Sequence, residues 1–180
     1  MTLLGEPYAP HSPMDGVRLG VGFVPEDRKS EGLVSALTIS ENISLPNFDL
    51  VSIARIWLSG GREGPLTTRM VAQIKIDPRI PRWRTDHLSG GNQQKVVLAK
   101  WLAKQPKLLL VDEPTHGVDV GAREQIYRVL DDLVKAGMGV IVVSSYLPEV
   151  LRISERILVM RDGRIALEVS RADATEEKYC

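Results

Sequence analysis

The stretch KLLLVD, residues 107–112, sets the tightest limit on the fold. Four apolar residues in a row, with no polar alternation, predict a strand buried on both faces of a parallel sheet. A second run of the same kind, GVIVVSS at 139–145, predicts another buried strand. Between the two, Ile126, Leu130, Leu133 and Val134 recur on one face of a predicted helix, and Gly137 lies near its end. Upstream, a helix is predicted from Ser89 to Gln105. Val97, Leu98, Trp101 and Leu102 share one face, and Pro106 closes it. Buried strands alternating with helices read as an α/β fold.

The flanking segments carry weaker signals. LGVGFVPED (19–27) is a strand candidate ending in a Pro-acidic turn. Thr38 and Glu41 stand three apart, as in a capping box, and open a short helix that Pro46 limits. A further helix is expected around Thr67–Ile76, ahead of a loop rich in Pro, Arg and Trp at 77–87. A short helix near Pro148 then leads to a hairpin with Asp162-Gly163 at its turn.

Composition narrows the function classes. The 180 residues carry a formal net charge of +0, with no basic surplus for general nucleic-acid binding. The N-terminus lacks a signal-peptide pattern, and neither apolar run is long enough to span a bilayer. One cysteine, Cys180, makes no disulfide framework and fits a reducing compartment. His11 and His87 sit singly in loops, without zinc-ligand spacing.

Two clusters carry chemistry. Asp112 and Glu113 close a strand, where open α/β sheets place ligand groups. The first acid suits Mg²⁺, directly or through water, and the second suits orienting or deprotonating an attacking water. Two solvated acids at a strand end are the plain alternative. Ser89 is placed to cap the helix that follows, and Gly90 and Gly91 leave its first N–H groups uncovered, which suits an anion. An ordinary helix cap is the alternative there.

Taken in order, GVGFVPEDRKSEGLV, LTISENISLPN, LSGGNQQKVVLAKWLA, LLLVDEPTHGVDVGAREQIY and SSYLPEVLRISERILVMRDGRI resemble the ATP-binding cassette ATPases. The likeness is to the sugar-importing branch, whose subunits fuse two cassettes, and more to the second cassette than the first. It implies a P-loop NTPase-like α/β fold with an N-terminal remnant over 1–35 and a helical subdomain over 36–88. A signature helix and C-terminal core over 89–180 complete one cassette truncated at its N-terminus. By resemblance, Ser89, Gly90, Gly91, Asn92 and Gln93 form the signature that acts on a nucleotide held by the opposite cassette. Asp112 is the Walker B carboxylate near Mg²⁺, and Glu113 the catalytic base. His116, Gly117, Val118 and Asp119 form the D-loop, and Glu26 occupies the Q-loop position that also touches transmembrane subunits. The implied cofactor is MgATP. The implied partners are a second cassette, permease subunits and, indirectly, a sugar-binding protein, at the cytoplasmic face of the membrane and without nucleic acid.

Departures from the family pattern are local. Ser145 stands at the switch position, where His is usual, and a hydroxyl cannot switch charge near neutral pH. Serine there is common in the second cassette of the sugar branch. Tyr146 replaces an acid and His116 an arginine, with no role assigned to either.

A Walker A loop requires G-x-x-x-x-G-K-[ST], so that backbone N–H groups and a lysine surround the phosphates. The sequence contains no Gly-Lys pair, and the glycine cluster LSGGREG (58–64) lacks the lysine and follows no predicted strand. The expectation is a piece of a longer protein that alone neither binds MgATP tightly nor hydrolyses it, with part of its core sheet left uncovered. A non-catalytic module lending LSGG to a partner is the competing reading. A DNA-repair or chromosome-organising ATPase is a third, disfavoured by the neutral charge and the absence of heptads.

Overall fold

The computed structural model describes residues 2–3, 5–53 and 56–174; Cys180 lies outside them. Strands β1 (Thr2–Leu3) and β2 (Glu6–Pro7) pair as a small antiparallel ribbon. Helix α1 (Pro13–Arg18) follows, where no helix was expected, with the Ser12 side chain accepting the Asp15 N–H. Strand β3 (Val21–Val24) leads into a π-helical turn over Arg28–Gly32. Asp27 caps that turn, accepting from the N–H groups of Lys29 and Ser30.

Helix α2 (Ile39–Ser44) begins with the predicted capping box, both reciprocal hydrogen bonds of Thr38 and Glu41 being present. Helix α3 (Phe48–Val51) and the β4 (Ser52–Ile53) and β5 (Trp57–Leu58) ribbon precede α4 (Gly60–Gln73). Helix α4 starts seven residues before the expected Thr67 and stops short of Ile76. Gly60, Gly61, Gly64 and Pro65, all poor helix formers, lie inside its first half. The Ser59 carbonyl accepts the N–H groups of both Arg62 and Glu63 at 2.9 Å, which starts the helix in spite of them.

Helix α5 (Gly90–Leu102), strand β6 (Leu108–Asp112), helix α6 (Val120–Lys135), strand β7 (Gly139–Val143) and helix α7 (Leu147–Ile153) form the α/β centre. The hairpin β8 (Arg156–Arg161) and β9 (Arg164–Ser170) turns at Asp162-Gly163 as predicted, with positive φ at both turn residues. Strands β3, β6 and β7 make a parallel sheet in that order, aligning Val24, Val111 and Val142 in one row and Phe23, Leu110 and Ile141 in the next.

That register decides which face is covered. Val24 and Val111 are buried on the side of α5 and α6, while Phe23 and Ile141 on the other side are 44% and 50% exposed. Strands β6 and β7 are therefore covered on one face, and the expectation of burial on both is corrected. Leu-rich runs specify a strand well but say nothing of what lies over each face.

Two helices differ from their predicted faces. Helix α5 is buried nearly all round, from Gln93 through Ala99, because α2, α4, α6 and the sheet surround it. On α6 the fourth core residue is Tyr127; Val134 is 42% exposed. Residues 36–88 and 89–133 share a continuous apolar core, in which Ile39, Ile43, Ile74 and Ile76 meet Val96, Leu98 and Leu109.

Candidate functional site

Strand β6 delivers Asp112 to the open face of the sheet, in the same row as Val143. The next residue, Glu113, has φ +42°, a left-handed conformation that costs a residue with a Cβ about 1–2 kcal/mol. Two contacts hold it there. Its N–H donates to the Val143 carbonyl at 2.8 Å, and its carboxylate accepts the Ser145 N–H at 2.6 Å. A charge-assisted hydrogen bond is worth about 1.5–3 kcal/mol, enough to offset the strain. The Ser144 hydroxyl lies at 3.5 Å from the second carboxylate oxygen. Ser145 thus meets Glu113 through its backbone rather than through its side chain.

After Glu113 the chain turns tightly. The His116 N–H donates to the Glu113 carbonyl at 3.0 Å, and the Val118 N–H to the Thr115 carbonyl at 3.1 Å. Asp119 then caps α6 by accepting the Ala122 N–H. Thr115 is buried and donates its hydroxyl to Glu149 at 2.7 Å, a carboxylate that is itself 1% exposed.

Ser89 caps α5, accepting from the Asn92 N–H as the sequence predicted. The two glycines that follow are required by their neighbours. A Cβ on Gly90 would stand 2.8 Å from an Arg28 nitrogen and 2.9 Å from the Gly117 carbonyl oxygen. A Cβ on Gly91 would come within 2.4 Å of the Ala122 Cβ. The glycines therefore let the residue 116–118 turn and the first turn of α6 close onto α5.

Asn92 and Gln93, expected with the signature, are both engaged inside the chain. Asn92 accepts the Asp77 N–H at 2.9 Å, and buried Gln93 donates to the Thr85 carbonyl at 3.0 Å. A cleft of about 300 Å³ opens between the starts of α5 and α6, lined by Ser89, Gly91, Asn92, Lys95, Asp119 and Gln125. Lys95 donates to the Lys75 carbonyl and to Gln125, and burial pushes its ammonium below the ordinary lysine value.

The structure gathers the expected residues in two groups. Asp112, Glu113 and Ser145 meet at the carboxyl ends of β6 and β7. Gly90, Gln93, His116 and Gly117 meet around Arg28, to which the sequence assigns no role, and Glu26 joins them through His116. Arg28 donates to the His116 and Gly117 carbonyls at 2.6 and 2.9 Å. Its burial pushes the guanidinium below its ordinary value, opposed by neighbouring Asp27. Glu26 and His116 lie 3.8 Å apart, and both are more than half exposed. Arg123 and Glu149 were missed as well. Their partners lie far away in sequence or form through backbone carbonyls, and no local pattern marks them.

The sequence profile of the ABC transporter family matches residues 3–116, more than half of the chain. The chain belongs to the ABC transporter family. This ABC chain is 47% identical over 175 residues to the arabinose import ATP-binding protein AraG of Azospirillum brasilense, covering 97% of itself and 34% of that protein. It is 43% identical over 176 residues to the ribose import ATP-binding protein RbsA of Bacillus subtilis, covering 98% of itself and 36% of that protein. A putative ribose/galactose/methyl galactoside import ATP-binding protein of Agrobacterium fabrum is 46% identical over 168 residues, with 93% and 33% covered. The ABC chain thus spans about a third of the length of these curated relatives.

Among solved structures, it resembles a dimeric ATP-binding cassette in a post-hydrolysis state with ADP and phosphate. The TM-score is 0.72 at 27% identity, over 91% of this chain and 68% of that one. The α/β P-loop NTPase fold expected from the sequence is the fold found. Among the described residues, no helix is long and apolar enough to cross a membrane.

Proposed function

We propose that these residues are the signature and Walker B part of an ATP-hydrolysing cassette that drives sugar import. In this reading Ser89, Gly90 and Gly91 face a nucleotide held by a second cassette across a dimer. Glu113 acts on a water at the nucleotide bound in its own cassette, whose phosphate loop is not among these 180 residues. The observation that carries the reading is Glu113 itself, a strained carboxylate at the end of a parallel strand, fixed by the Ser145 N–H. Strain of this kind persists where the surroundings over-determine it, often at working sites.

The residues present fit Mg²⁺ and nucleotide. Asp112 offers an oxygen ligand at the end of β6, beside Glu113; such a donor suits Mg²⁺. Bound MgATP would supply the phosphoryl group. The chain's own part is to orient water through Glu113 and to keep Glu113 fixed through the 144–146 turn. With Ser145 donating from its backbone, a charge-switching imidazole is not needed for that orientation. In this reading the partners are permease subunits and, indirectly, a sugar-binding protein, and the cassette works at the cytoplasmic face of the membrane; the likeness to import ATP-binding proteins supports it.

The test joins this chain to the phosphate-loop segment of the ribose-import relative and measures MgATP turnover. Hydrolysis is expected, falling about 10²- to 10⁴-fold in Glu113→Gln with nucleotide binding retained. Turnover unaffected by Glu113→Gln would remove the assignment.

A further inference from the structure

Three consecutive carbonyls of the 116–118 turn are each held by a guanidinium. Arg28 takes His116 and Gly117, and Arg123 takes Val118 at 3.2 Å. The two arginines reach the turn from different elements. Arg28 leaves the π-helical turn just after Glu26, and that turn is pinned by Asp27 on its first N–H groups and by Lys100 on the Gly32 carbonyl. Arg123 stands on the first turn of α6, and its guanidinium lies 5.5 Å from the ring centre of Tyr146, next to Ser145. Such a contact is attractive within about 6 Å.

From this geometry we infer that Arg28 and Arg123, with Tyr146, are positioning residues that clasp the 116–118 turn to the Glu26 loop and the Ser145 loop, so that the three loops hold one relative geometry.

The chemistry suits arginine on both sides. A planar fork can serve two adjacent carbonyls at once, whereas a lysine ammonium is a single point charge. Arg28 is 9% exposed, and its buried donors are met by the His116 and Gly117 carbonyls and by the Gln93 side-chain oxygen at 3.4 Å. Gly90 is hemmed in by the same Arg28 nitrogen and Gly117 oxygen, which carries the clasp to the start of α5. Tyr146, which the sequence left without a role, gains one as the platform for Arg123. The relevance of the clasp to a nucleotide rests on the proposed function, but the clasp itself does not.

The experiment is residue-resolved amide exchange on the 180-residue chain and on Arg28→Met, Arg28→Lys, Arg123→Met and Tyr146→Leu. The His116 and Val118 amides are the reporters, and paired amides of β6 are the reference. Arg28→Met should speed both reporters about tenfold, as for one or two lost hydrogen bonds, while β6 stays unchanged. Arg28→Lys should restore part of that protection, and Tyr146→Leu should reproduce the effect of Arg123→Met at Val118. If Arg28→Met does not fold, Arg28→Lys with the two α6-side variants decides the matter. Reporter rates that stay unchanged, or rise only in step with β6, would overturn the clasp. No nucleotide enters the measurement, so its failure is distinct from a failure of the ATPase reading.

Discussion

The Glu113 carboxylate accepts the Ser145 backbone N–H at 2.6 Å, joining the end of β6 to the loop after β7. The bond holds a side chain whose backbone is strained, and it does not depend on the chemistry of residue 145. Glu113→Gln keeps an oxygen in place and exchanges a charge-assisted bond for a neutral one. Thermal unfolding should therefore show a loss of about 1 kcal/mol. Glu113→Ala, which deletes the acceptor and keeps the strain, should lose more. Equal stability of the two variants would mean that the bond contributes little.

Gly91 lies against Ala122. The Cβ of Gly91→Ala would meet the Ala122 Cβ at 2.4 Å, so α5 and α6 must move apart. Overpacking of this kind costs about 1–3 kcal/mol. Urea unfolding should show that loss in Gly91→Ala and a substantial recovery in Gly91→Ala with Ala122→Gly. Additive losses in the double variant would indicate that the two positions do not compete for space.

Glu41 has its carboxyl held below the ordinary range by hydrogen bonds from the Thr38 N–H and hydroxyl. A lowered folded-state pKa adds stability that is present above the unfolded value and lost as pH falls through the folded one. The acid limb of the stability curve should thus begin near the ordinary glutamate value and extend below it. Glu41→Gln should flatten that part of the curve while leaving neutral pH little changed, as read by thermal melts across pH. The site is largely exposed, so the effect is small.

Much of this arrangement is legible in the sequence, for specific reasons. The runs 108–112 and 139–143 predict their strands because apolar continuity is a local signal, and Thr38 with Glu41 predicts its capping box for the same reason. Helix α4 is harder to read. Gly60, Gly61, Gly64 and Pro65 all argue against it, and tertiary packing of Met70 and Val71 outweighs them. The one-sided cover of the sheet is invisible locally, since Ile141 and Val143 read like core residues and are half or more exposed. Asp112, Glu113 and Ser89 could be placed from strand ends and caps. Arg28 could not, because DRKSE reads as a solvated charged run and its partners lie 88 and 89 residues away.

In the function proposed, this chain holds the carboxylate and signature side of an ATP site, and other residues supply the phosphate loop. The most direct test is calorimetric titration of MgATP into the folded chain, with Glu113→Gln in parallel to block turnover, and again after joining the phosphate-loop segment. No detectable binding by the chain alone, with affinity near the micromolar range appearing in the joined protein, is the predicted result. Micromolar binding by the 180 residues alone would contradict it, because it would require a phosphate-binding element within this sequence.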